Sequence, residues 1–265
     1  MVFLYALLGL AAGIGVNFVA DRALQLMQDK ERARLLRDRR LCVSCGQATR
    51  ERVEFALWRF VTRRGRCQCG ARLPLRPVLV ELAGAVIFAY LWAHDVAPAW
   101  RYAGAANYLR LALHSAWMSV FLLVTVTDLE HRLILNAVMY PAIALALAAA
   151  LFTPDLSWRA VLIGGVVGFV FFYLAALAGN AFFGSGALGF GDVTLAAFIG
   201  LITGFPIVVL ALVLGILAGG VITLLLLVTR IRSLRSAVPY GPFLVVGGVA
   251  ALLWGPQIVQ WYFGR

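Results

Sequence analysis

The chain has 265 residues, of which 63% are apolar and 13% charged, whereas a water-soluble domain carries about a quarter charged residues. That composition excludes an ordinary soluble globular enzyme. The net charge of +11 does not call for nucleic acid, because no aromatic-interleaved basic module accompanies it and an anionic membrane surface attracts the same residues.

In chain order, the apolar blocks predict membrane-crossing helices over about 2–20, 77–95, 109–127, 134–152, 159–179, 192–204, 205–228 and 242–262, most of them near the ~20 residues needed to cross a bilayer. Lipid offers backbone groups no partners, so such blocks cross as helices. The expected fold is therefore an all-α polytopic membrane protein with about eight transmembrane helices. The first block is read as a retained anchor: no small-residue cleavage site follows it, and the charged stretch from Asp21 reads as a continuing domain.

Residues 21–76 form a small insert, which divides the chain into 1–20, 21–76 and a seven-helix portion, 77–265. The first part of the insert reads as a membrane-surface helix with a partial apolar stripe of Leu24, Leu26, Met27, Leu35 and Leu36. The second part holds all four cysteines. Cys42 and Cys45 form C-x2-C, and Cys67 and Cys69 form C-x-C. Two close thiol pairs followed by Gly46 and Gly70 favour tetrahedral zinc ligation in a small ribbon, over free thiols or disulfides. Four thiolates would close the coordination sphere, so such a zinc is structural. Further along, the block at 192–204 is short, which suggests a tilted helix or one half-buried in protein. Gly204-Phe205-Pro206 marks a tight turn after it.

Orientation follows from the basic residues. With 21–76 in the cytoplasm, all but Arg101, Arg110, Arg159 and Arg265 of the 23 Lys and Arg residues fall on the inner side. This strong positive-inside bias places both termini outside.

Carboxylates at the edge of a membrane are costly and suggest function. Asp95 and Asp155 are expected at outer loop ends, where exposure makes them cheap. Asp128 closes the third predicted span as it reaches the cytoplasm, and Asp192 opens the sixth as it leaves. Both therefore lie at one depth on one side. Two carboxylates in a partly dry site share a proton and titrate as a pair. In that state one can activate a water against a scissile carbonyl while the other donates to the carbonyl oxygen. Gly189 and Gly191, in the Leu-Gly-Phe-Gly-Asp stretch, would permit close approach of an extended substrate.

At these residues the sequence resembles the type 4 prepilin peptidases, the leader peptidase/N-methyltransferase branch of the G-x-G-D intramembrane aspartic proteases. TDLEHRLILNAV resembles their first aspartate motif and GALGFGDVTLAAFIGLITG their second. GLAAGIGVNFVADR, CVSCG, RCQCGARLPLRPVLVELAGAVIF and VPYGPFLVVGG resemble further family segments. The resemblance implies a multi-pass enzyme of the bacterial inner membrane. It would cleave the basic leader from prepilins or pseudopilins of type IV pili and type II secretion at the cytoplasmic face, with Asp128 and Asp192 as its catalytic pair. It also implies possession, in many members, of a second activity that methylates the new N-terminus from S-adenosylmethionine. Three features depart from the family pattern. Leu135 stands where a proline usually follows Ile134, Thr194 stands where a lysine is common, and the second cysteine pair is one residue short of C-x2-C.

Glu81, which the family shares, is read either as a contact that locks helices or as a contact to the substrate N-terminus. Glu130 is expected to face basic leader residues. His131 and Arg132 are read either as interfacial anchors or as neighbours that tune Asp128 and bind substrate. His94, His114 and His131 are too dispersed to suggest a metal centre. Pro239, Gly241 and Pro242 are expected to shape the start of the last span, and Trp58, Trp92, Trp100, Trp158, Trp254 and Trp261 to lie in interfacial belts. A rival reading, a proton-coupled transporter relaying protons through the two aspartates, predicts inverted repeats and midplane carboxylates. The sequence shows neither.

Overall fold

The computed structural model describes residues 1–26, 55–62, 64–66, 74–99, 104–153, 157–183, 189–229 and 239–264. Cys42, Cys45, Cys67 and Cys69 lie outside the described residues, as do Asp155 and most of the insert. Among the described residues the fold is all helical: α1 Val2–Leu26, α2 Ala56–Thr62, α3 Arg76–Leu91, α4 Ala105–His131, α5 Asn136–Ala149, α6 Trp158–Phe183, α7 Phe190–Thr203, α8 Ile207–Val228 and α9 Gly241–Phe263. The protein is a polytopic membrane protein.

A helix forms at each of the eight predicted spans, but two of them are too short to cross. Among the described residues six helices are long and apolar enough, namely α1, α3 with the turn after it, α4, α6, α8 and α9. Helices α5 and α7 have 14 residues each, a length of about 21 Å at 1.5 Å per residue against a hydrocarbon core of about 30 Å. The apolar block at 134–152 falls short because Ile134 and Leu135 form a buried link into α5 and Ala150, Leu151 and Phe152 form a turn after it. The short block at 192–204 ends where expected, at Gly204, whose φ of 71° stops the helix and favours glycine. A cis Phe205–Pro206 bond follows, so the predicted tight turn is present.

The chain forms two compact units, Met1–Val126 and Thr127–Arg265. In the first, α1 packs on α3 through small residues. A Cβ on Gly13 would meet the Glu81 Cα at 2.7 Å, and Gly9 and Gly84 also face each other's backbone. Lipid gives apolar side chains no reason to associate, so close backbone packing between small residues supplies the attraction. Asn17 donates to the Pro77 carbonyl at 3.0 Å, and Arg76 pairs with Asp21 at 2.8 Å.

In the second unit α7 is the central element. Every residue from Val193 to Thr203 is buried, and the helix packs on α6 and also touches α5, α8 and α9. Gly164 and Gly168 of α6 meet the α7 backbone at Gly200 and Ala196. Helices α8 and α9 associate similarly, through Gly215 and Gly247. The outer face of α6, with Ile163, Val166, Val170, Leu174 and Leu177 exposed, is the surface that a bilayer would cover.

Candidate active site

Two polar corners in the second unit carry the site. The first is the end of α4. Asp128 lies in its last turn and is 5% exposed. The helix is closed by the Arg132 N–H, which donates to the Asp128 carbonyl at 2.8 Å, with Arg132 in the left-handed region at φ 53°. The Asp128 carboxylate accepts a 2.9 Å hydrogen bond from the backbone N–H of Gly241. Gly241 opens α9, so the positive end of that helix points at the carboxylate.

The second corner is the start of α7. Asp192 is half-buried in the first helical turn. Its Oδ2 accepts the Gly189 N–H at 3.1 Å, and its own N–H donates to the Gly189 carbonyl, also at 3.1 Å. The aspartate thus caps its own helix, again at a positive end.

Glycines at two positions bring the corners together. A Cβ on Gly241 would stand 2.7 Å from the Asp128 Oδ2 and 3.3 Å from the Ile134 Cδ1. A Cβ on Gly191 would stand 2.7 Å from the Ile134 Cβ and 3.3 Å from the Ile134 carbonyl oxygen. Ile134, 8% exposed, therefore wedges between the start of α9 beside Asp128 and the start of α7 beside Asp192. The expected reason for Gly191 needs correcting: the space left by its missing side chain is filled by Ile134 rather than kept for an extended substrate. Gly189 is exposed at φ −80°, and its N–H is what it contributes.

Both departures in this region have local explanations. Leu135 reaches φ −79°, near the value proline would impose, and its carbonyl accepts the Val138 and Met139 N–H groups. Thr194 is 4% exposed and donates to the Gly191 carbonyl at 2.9 Å, so a small hydroxyl fits a packed position.

The other expected site residues divide. Arg132 is exposed and close enough to interact with the Asp128 charge. Glu130 is exposed, with His131 at 3.4 Å. Glu81 lies in the first unit, fully buried, and takes the helix-locking role of its two readings. Its two oxygens accept the Ala56 and Leu57 N–H groups, each at 2.9 Å, so both are committed to the protein itself.

Three features escaped the sequence reading. Gly241 was expected only to shape a helix start, yet it holds Asp128. Tyr240, just before it, lies between Phe172, tilted at 43°, and Phe243, edge-on at 69°, with ring centroids at 6.0 and 6.2 Å. Burial, joined by the nearby Asp192 charge, pushes its hydroxyl above the usual tyrosine range. A proline-flanked Tyr-Gly pair at a helix start was the available signal. In the first unit, Asp95 is 8% exposed rather than a solvated loop end, and it is bonded by His94 at 2.9 Å and His114 at 2.8 Å. A π-helical turn, Trp92–Val96, carries Asp95 inward, which also brings together two histidines that had looked dispersed. Among the described residues no cluster of three or more His, Cys, Asp or Glu could hold a metal ion.

Residues 115–224 match the type IV leader peptidase family, and residues 7–94 match the bacterial peptidase A24 N-terminal domain. The chain is 28% identical over 231 residues to a Bacillus subtilis protein named prepilin leader peptidase/N-methyltransferase, covering 86% of each chain. Relatives of the same name from Pseudomonas putida (27%, 82% of this chain and 72% of the relative) and Pseudomonas aeruginosa (28%, 97% and 91%) align over comparable lengths. No solved structure gives a significant match. With the N-terminal and peptidase segments both matched, in that order, and relatives aligned over 72–91% of their own length, the chain belongs to the type IV leader peptidase family.

Proposed function

We propose that the chain is an aspartic endopeptidase that removes the basic leader from prepilins or pseudopilins at the cytoplasmic edge of the bacterial inner membrane. The observation that supports this reading is that Asp128 and Asp192 are each held by a backbone N–H at a helix start, of α9 and α7 respectively, and that both starts pack on Ile134. Family membership supplies the reaction class and the substrate class.

In the proposed cycle the pair holds one proton. The ionised aspartate takes a proton from a water, which attacks the scissile carbonyl. The protonated one donates to the carbonyl oxygen; the first, now carrying the water's proton, passes it to the departing amine as the C–N bond breaks, and the second recovers its proton from the collapsing gem-diol. The Gly241 and Gly189 N–H groups hold the two carboxylates in place through both steps, so neither must reorganise as charge moves. Leader arginines and lysines would remain on the basic-rich inner side near Glu130, and the apolar pilin helix would stay in the bilayer. The same inner-side reading places the 21–76 insert in the cytoplasm, with Cys42, Cys45, Cys67 and Cys69 as a closed structural zinc site. That donor set suits zinc, and metal analysis of the purified chain beside a Cys42→Ser variant tests it. The relatives' names supply the further proposal that the new N-terminus is methylated from S-adenosylmethionine.

The test is incubation of purified protein with a prepilin and mass spectrometry of both products. Cleavage at the leader junction that disappears in Asp128→Asn and in Asp192→Asn supports the reading. Undiminished cleavage by both variants rejects the catalytic pair, and substrate uptake into liposomes that needs both aspartates would favour a transporter instead.

A further inference from the structure

Helix α2 has seven residues, too few to be stable alone in water. It nevertheless presents an apolar strip outward: Phe55, Trp58 and Val61, spaced by three, are 47%, 70% and 64% exposed. Residues three apart lie on one side of a helix. The other side faces the protein, where Ala56, Leu57 and Phe60 are half-buried and Glu81 takes the Ala56 and Leu57 N–H groups at 2.9 Å each.

That anchor fixes the depth of the helix. Glu81 is five residues inside the span that begins at Arg76, or about 7–8 Å along it at 1.5 Å per residue. At this level α3 exposes Leu75, Leu79 and Leu82, at 56%, 62% and 41%, a surface suited to lipid. Interfacial helices bury their apolar face about 5–10 Å into the headgroup and acyl boundary, which is the depth the Glu81 contact imposes. The charge matches as well. Between Glu54 and Glu81 the sequence has no acidic residue but carries Arg59, Arg63, Arg64, Arg66, Arg72 and Arg76, and Arg64 and Arg66 are exposed just beyond the helix. Just past it Gly65 packs against the Phe60 ring, and its N–H donates to the Phe60 carbonyl at 2.8 Å. The Arg64 N–H donates to the Val61 carbonyl at 3.3 Å, so Arg64 follows directly on the strip.

We propose that α2 is an interfacial helix docked on an anionic phospholipid leaflet, with Phe55, Trp58 and Val61 at the acyl boundary and the adjacent arginines on the phosphates. It ties the insert to the membrane at the start of α3. This inference rests on α3 crossing the membrane and is independent of the peptidase chemistry.

The test uses the full chain in vesicles of phosphatidylglycerol and phosphatidylethanolamine, with and without acyl chains brominated near the headgroup. Tryptophan emission of the wild type is compared with that of Trp58→Phe, a conservative change at an exposed position, and the difference isolates Trp58. Expected is a blue-shifted component, quenched by the shallow bromines and several-fold less sensitive to aqueous acrylamide than free tryptophan. Replacing phosphatidylglycerol by phosphatidylcholine, or introducing Arg64→Gln with Arg66→Gln, should raise the acrylamide sensitivity. A red, acrylamide-quenched Trp58 component that the bromines leave untouched would overturn the docking. A protected component indifferent to both lipid charge and the arginine changes would overturn its anionic specificity.

Discussion

Gly241→Ala tests whether the proposed catalytic geometry depends on a missing side chain. The new Cβ would stand 2.7 Å from the Asp128 Oδ2, 3.1 Å from its Cγ and 3.3 Å from the Ile134 Cδ1. Since Cγ itself is crowded, turning the carboxylate about its own axis does not relieve the contact. Either Asp128 or the start of α9 must move, and the 2.9 Å bond from the Gly241 N–H lengthens or is lost. A hydrogen bond to a charged group contributes about 1.5–3 kcal/mol, which corresponds to roughly ten- to a hundredfold in rate if it is needed in the transition state. A displaced reacting group costs a similar factor. The substitution should therefore lower kcat for prepilin cleavage by about 10- to 100-fold with little change in KM, because the bulk of the substrate is bound elsewhere. Gly220→Ala in α8, where a Cβ meets nothing within 4 Å, is the matched control and should cleave at the normal rate. Both variants are assayed as purified protein, with the helical circular dichroism signal confirming the fold. A folded Gly241→Ala enzyme with unchanged kcat would refute the claim that this contact holds Asp128.

Asp128→Asn and Asp192→Asn should each abolish cleavage while leaving the purified yield and helix content unchanged, as read by mass spectrometry and circular dichroism. Gly200→Val in α7 should separate that helix from the Gly164 carbonyl it touches, destabilise the second unit by about 1–3 kcal/mol as overpacking does, and reduce activity through Asp192; an unchanged melting temperature would contradict the packing argument. Glu81→Ala should strip the Ala56 and Leu57 N–H groups of their acceptor and cost about 2–3 kcal/mol at a buried, charge-assisted contact. Faster amide exchange confined to residues 55–62 is the expected readout.

What the sequence could reveal was set by how local each cause is. Apolar blocks declare themselves within a single stretch, so all eight helices were found close to their places. The shortness of α7 was legible too, but that of α5 was not, because Ile134 and Leu135 are apolar in composition yet lie outside the helix. Asp128 and Asp192 stood out because a carboxylate beside an apolar block is conspicuous on its own. Their supports did not. The Gly241 N–H that holds Asp128 comes from 113 residues away, and no property of Gly241 in isolation announces it. Glu81 was conspicuous too, yet its two partners are backbone N–H groups 24 and 25 residues upstream, which carry no side-chain signature. Asp95 was misplaced for another reason: a π-helical turn shifts the side that each residue faces, and hydropathy does not register it.

The shortness of α7 bears directly on the chemistry. A helix long enough to cross the bilayer would set its ends by hydrophobic match to the lipid, and a carboxylate in its first turn would be drawn to the headgroup layer. Helix α7 is instead enclosed along its whole length from Val193 to Thr203, so its position is set by protein contacts: Gly164 and Gly168 on one flank and Ile134 at its start. Protein contacts are stiffer than lipid ones, because close-packed groups resist displacement by fractions of an ångström. Asp192 is thereby held in place regardless of bilayer thickness, and the proposed catalytic pair, which would share one proton, needs that independence. Changing the acyl length of the surrounding lipid should then alter substrate binding before it alters the rate of the bound step. A kcat that tracks bilayer thickness while KM stays fixed would show that lipid, not protein, sets the separation of the two aspartates.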